Sequence, residues 1–168
     1  MESNNHMDTD SVPTPHTPPP GEAERKSHRV RWHGFLRALA EEIDITAGAA
    51  ARDALLRNVG LRMARLMPLP ITESLDGLTI EANDILSGIG WGSVSVTVSE
   101  ADRCLVITHR GLPRLGAAGD PPGAWLSALL EGLYEGWMGQ QPGSAPGLTA
   151  RRQPIQSADE IVLRYGRN

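Results

Sequence analysis

Two carboxylate pairs, Glu41 with Glu42 and Glu131 with Glu135, are the side chains here whose types and spacing could support general acid and base chemistry. That chemistry needs two carboxyl groups aimed at one bond. Adjacent helical residues diverge by about 100°, so Glu41 and Glu42 cannot converge. Glu131 and Glu135 share a helical face, where the expectation is a solvated, charged surface. The histidines, His6, His16, His28, His33 and His109, offer no i, i+4 pair and no cysteine companion, so neither a metal site nor another cofactor is expected. Cys104 is a lone cysteine and cannot close an internal disulfide, and the strand-like alternation around it reads as a passive buried thiol. Gly88-x-Gly90-x-Gly92 precedes a strand pattern, whereas a dinucleotide fingerprint follows a strand and opens a helix, so it reads as a tight turn. No Gly-x-Ser-x-Gly nucleophile elbow occurs. Trp32, Trp125 and Trp137 lie on apolar helical stripes and read as packing residues before sugar-stacking ones, while Trp91, in a glycine-flanked turn, stays open. No catalytic residue is nominated, and an enzyme is not expected.

The elements that would position these groups follow from periodicity. Trp32, Phe35, Leu36, Leu39 and Ile43 mark a first helix from Arg31, punctuated at Gly48. A second helix carries Leu55, Leu56, Val59, Met63 and Leu66 and should end before Pro68 and Pro70. A third, capped at Thr72, turns Leu75, Leu78, Ala82, Ile85, Leu86 and Ile89 inward. The period then becomes two: Val94, Val96 and Val98 alternate with serine and threonine, and Cys104 to His109 returns as the partner strand of a hairpin. A fourth helix bears two lanes, Ala124, Ala128, Gly132 and Gly136 beside Trp125, Leu129, Leu133 and Trp137. Interior glycines cost a helix about 1 kcal/mol each, so this lane implies close packing of another backbone or a bulky group. Asp120, with Pro121 and Pro122, reads as its cap. A second hairpin, Leu148 to Ile155 and Glu160 to Tyr165, closes the chain. The predicted class is α+β: three helices, hairpin, helix, hairpin, with a small four-stranded antiparallel sheet.

Composition sets the outer limits. The chain has 168 residues and 40% hydrophobic content, enough for one domain, taken as 31–168. Residues 1–30, with Pro18-Pro19-Pro20 and few apolar groups, read as a disordered tail. A formal charge of −4 and a pI near 5.7 argue against nucleic acid or an anionic membrane as partner. The chain contains no secretory signal pattern and no run long enough for a transmembrane segment, so the expected compartment is the cytoplasm.

Three stretches carry a family resemblance: FLRALAEEID from Phe35 to Asp44, the segment Asn83 to Gly92 with its Ile89-Gly-Trp91-Gly turn, and GAAGDPPGAWLSALLEGLYEGW from Gly116 to Trp137. Together they resemble the D subunit family of bacterial cellulose synthase, over roughly Trp32 to Arg167. The resemblance implies a non-catalytic accessory protein of cellulose export and assembly, a homo-octamer built as a tetramer of dimers, with passageways for glucan chains. By the same resemblance the segment before the first helix lines the passage, which nominates Ser27, His28 and Arg29 as glucan contacts; ordinary tail residues are the competing reading. Ala124, Trp125, Ala128, Gly132, Gly136 and Trp137 become an assembly helix, or else pack it against the domain's own sheet. Other synthase-complex or scaffold proteins are implied partners. Guiding extruded chains would place the protein in the periplasm, against the cytoplasmic expectation. The C-terminal half is also similar to small-molecule sensor domains of the vinyl-reductase and haem-nitric-oxide type, which would require an enclosed apolar pocket.

Overall fold

The computed structural model describes the backbone of residues 20–113, 124–154, 157 and 159–167, and their side chains apart from those of 20–33, 40 and 124. The chain divides into two units, Met1–Trp32 and His33–Asn168. Most of the expected proline-rich tail, and the Asp120 cap with its two prolines, lie outside the described residues.

Helix α1 runs Pro20–Leu66 and is broken at Gly48, whose φ of 78° and ψ of 166° are not helical. Its two stretches and α2, Leu75–Ile89, are the three helices expected before any strand. The start at Pro20 corrects the predicted start at Arg31. Glu22, Ala23, Glu24, Arg25 and Lys26 favour helix but have no apolar period to announce it. The cap of α2 is also corrected, from Thr72 to Ser74, whose Oγ accepts from the Gly77 N–H at 3.0 Å. Thr72 instead donates its N–H to Gln141 Oε1 at 3.0 Å, so the α3–β3 loop takes the group that a helix start would have used. At its other end α2 stops at Gly90, left-handed with φ 69°, and Trp91 N–H returns to Leu86 O at 2.9 Å. The triple-glycine segment is therefore a helix stop leading into a strand.

Strands β1 (Ser93–Ser99), β2 (Cys104–Arg110), β3 (Leu148–Arg152) and β4 (Glu160–Arg167) form one antiparallel sheet in the order β1-β2-β4-β3. Alternation sorts its faces. Val94, Val96, Ile107, Ala150, Ile161, Leu163 and Tyr165 enter the core, while Ser95, Thr97 and Arg151 face solvent. Both margins are partly closed by side chains. On β1, Asn83 of α2 mimics a neighbouring strand: its Oδ1 accepts from Val94 N–H at 2.8 Å and its Nδ2 donates to Val94 O at 2.9 Å. Helix α3, Ala124–Gly139, is buried along nearly its whole circumference from Trp125 to Met138, as its mostly apolar sequence requires.

Candidate functional site

Glu131 and Glu135 stand one turn apart on α3 and look toward β3. The solvated face expected for them is overturned, since Glu131 is only 8% exposed. The reason lies in the edge position of β3. Its Ala150 and Arg152 N–H groups point away from β4, and a buried donor without a partner costs about 1–3 kcal/mol. Glu135 Oε2 accepts from Ala150 N–H at 3.0 Å, and Glu131 Oε1 accepts from Arg152 N–H at 2.9 Å. Two carboxylates at helical spacing thus complete the hydrogen bonding of a strand edge.

Arg57 of α1 joins the same cluster. It donates to Glu135, lies 3.8 Å from Glu131 and donates to the Ala150 carbonyl at 3.4 Å. The Arg152 guanidinium donates to Ser127 Oγ at 2.9 Å and pairs with Asp53 of α1. Arg52 then bonds Asp44 at 2.8 Å and Asp53 at 3.0 Å, spanning the Gly48 break, and its guanidinium carbon stands 5.3 Å from the Trp125 ring centre. The cluster ties α1, α3 and β3 together. Its carboxylates are occupied as acceptors for backbone and guanidinium donors, an arrangement that positions elements and leaves no evident acid–base pair facing a substrate.

The glycine lane is occupied from within the chain. A Cβ at Gly132 would strike the Arg57 carbonyl oxygen, one at Gly60 would strike the Leu129 carbonyl oxygen, and one at Gly136 would meet Ala64 Cβ at 2.5 Å. Helices α1 and α3 therefore touch backbone to backbone, so the lane's partner is α1 where the sheet or a second subunit was expected. Gly60 and Ala64, four residues apart, are the complementary signal that reading α3 alone missed. Trp125 and Ala128 are buried core residues. Trp137, fully buried, donates Nε1–H to the Met67 carbonyl at 2.8 Å, and Gln140 donates to the Ala64 carbonyl at 3.1 Å, satisfying acceptors around the end of α1. Ala124 opens α3 with its side chain outside the described residues. The side chains of Ser27, His28 and Arg29 lie outside them as well.

His109 is fully buried on the core face of β2. The Trp91 carbonyl, 2.7 Å from Nε2, can only accept, so Nε2 carries the proton and Nδ1 accepts from Tyr134 O–H at 2.6 Å. Burial lowers the His109 pKa to about 4, opposed by the Trp91 hydrogen bond, and burial raises that of Tyr134. The neutral ring thereby fastens the Trp91 turn to α3. Its position at Leu105, Ile107, His109 spacing was the available signal. Cys104, on the opposite face, is half-buried where a buried thiol was expected, and its Sγ accepts from Arg164 Nε at 3.4 Å.

A groove of about 450 Å³ lies between the α2 cap and the α3–β3 loop, lined by Ser74, Leu78, Val98, Met138 and Tyr165 among others. Its lining is polar as well as apolar and it opens to solvent, unlike the closed apolar pocket expected of a sensor. Among the described residues no cluster of three or more His, Cys, Asp or Glu side chains could hold a metal ion, and no helix is long and apolar enough to cross a membrane.

The sequence matches the family model of the cellulose synthase D subunit over residues 21–166. It is 45% identical over 111 residues to a cellulose synthase operon protein D of Komagataeibacter xylinus, covering 66% of this chain and 70% of that one. A protein of the same description from Komagataeibacter sucrofermentans is 43% identical over 110 residues, with 66% and 70% covered.

Proposed function

This chain belongs to the D subunit family of cellulose synthase, and on that premise we propose that it is a non-catalytic accessory subunit of bacterial cellulose biosynthesis. It works as a homo-octameric scaffold, a tetramer of dimers, that organises glucan chains or synthase complexes. The observation that carries the scaffold reading is the apolar surface left on α1. Leu36 and Leu39 before the Gly48 break, and Leu55 and Val59 after it, are 39–46% exposed, and Ile45 is 82% exposed. Exposed apolar side chains along one helix, beside a core that has already buried α3, favour contact with further copies. The groups that could have done chemistry, Glu131, Glu135 and His109, are engaged in internal hydrogen bonds, which supports a role without bond making.

Sedimentation velocity on the full chain tests this. Wild-type protein should sediment as an octamer, and Leu39→Glu with Leu55→Glu should shift it toward smaller species with unchanged circular dichroism. A wild-type monomer at micromolar concentration, or transfer of sugar by the purified chain alone, would overturn the reading. We further propose a cytoplasmic site of action, with the periplasm as the competing compartment; cell fractionation against markers for both decides between them.

A further inference from the structure

On the sheet face opposite the helices, Arg151 of β3 and Arg164 of β4 are directly paired across the strands. Like charges at such a position repel unless something negative lies between or above them. The two guanidinium groups border a cavity of about 280 Å³ whose described lining also includes Arg167, Thr149, Gly166 and Asp102. Three arginines face one carboxylate there, an excess of two positive charges in a chain whose formal net charge is −4. Asp102 pairs with Arg164, and Arg164 also donates to Cys104 Sγ at 3.4 Å, so that guanidinium is held in place. Gly166 keeps the floor low, since a Cβ there would meet Cys104 Cβ at 2.9 Å. One polar atom in the wall is unexplained. Thr149 Oγ1 is buried and has no hydrogen-bond partner among the described residues.

We infer that this cavity is a binding site for a phosphate group, held by Arg151, Arg164 and Arg167 with Thr149 as a hydroxyl donor. Charge selects phosphate over carboxylate: a phosphate monoester carries about −1.5 to −2 at neutral pH and matches the excess, whereas a carboxylate balances half of it. Geometry agrees, because guanidinium forks and a hydroxyl arriving from separate strands suit a tetrahedral group with several acceptor oxygens. This site is independent of the scaffold reading.

Calorimetric titration of inorganic phosphate into the full chain at constant ionic strength tests the inference, with acetate as the monoanion and methyl phosphate as the ester. Saturable phosphate binding is expected, weakened about ten-fold or more by Arg151→Gln, which removes charge-assisted hydrogen bonds. Arg65→Gln, on the exposed end of α1, should leave it unchanged. Tighter binding of methyl phosphate would assign the site to an organic phosphate, and equal binding to the free ion. Absence of saturable binding, acetate binding as well as phosphate, or full affinity in a folded Arg151→Gln or Arg151→Lys variant would overturn the inference.

Discussion

Gly60 and Gly132 meet where α1 crosses α3, each in a place where a single added carbon would collide with a carbonyl oxygen of the opposite helix. The contact is reciprocal, so neither helix can yield without moving the other. Gly132→Ala should therefore destabilise the protein by about 1–3 kcal/mol through overpacking, although alanine is the better helix former. Gly88, in α2, has open space around its missing side chain, and Gly88→Ala should stabilise by about 0.5–1 kcal/mol. Urea unfolding of the two variants should give opposite signs.

The carboxylate closure of β3 predicts a local effect on exchange. Glu135→Ala should speed hydrogen exchange of the Ala150 amide, and Glu131→Ala that of Arg152, each with a stability loss of about 1–3 kcal/mol. Glu135→Gln keeps an acceptor for Ala150 while losing the Arg57 ion pair, and should fall between wild type and Glu135→Ala. Amide exchange followed by NMR would separate them.

His109 makes stability depend on pH with a definite sign. Its folded pKa of about 4 lies below the ordinary 6.5, so between those values the unfolded chain binds more protons than the native one. The stabilisation is complete above pH 6.5, shrinks as pH falls toward 4 by up to about 1.4 kcal/mol per unit, and changes no further below that. Denaturant titrations at successive pH values should show a shallower slope in His109→Gln; identical slopes would remove His109 as the cause.

Asn83→Ala removes the amide that satisfies both backbone groups of Val94. A loss of about 1–3 kcal/mol is expected, with increased aggregation from the uncovered strand edge. Thermal unfolding and light scattering measure the two effects, and Asn83→Asp, which keeps only an acceptor for the N–H, should recover part of the loss.

Much of this fold was legible in the residues. The Val94, Val96, Val98 alternation and the Ile161, Leu163, Tyr165 alternation placed the strands, and Gly48 and Gly90 placed the helix breaks, because these signals are local and rest on chain geometry. The partners of the glycine lane were not legible from α3 alone. That lane announces close packing without naming what packs, and the answer sits in Gly60 and Ala64 more than sixty residues earlier. Glu131 and Glu135 misled for a similar reason. A carboxylate pair at helical spacing looks the same beside water as beside an edge strand, and only the sheet order β1-β2-β4-β3 makes β3 the edge that needs them.

Because α3 itself supplies the missing acceptors along β3, that rim of the sheet has little left to offer an incoming strand. Proteins concentrated side by side risk endless ribbon growth through such rims, the route by which orderly assemblies degrade into fibres. Here the same two acidic side chains that lock the fold shut also make its β3 side inert to that fate.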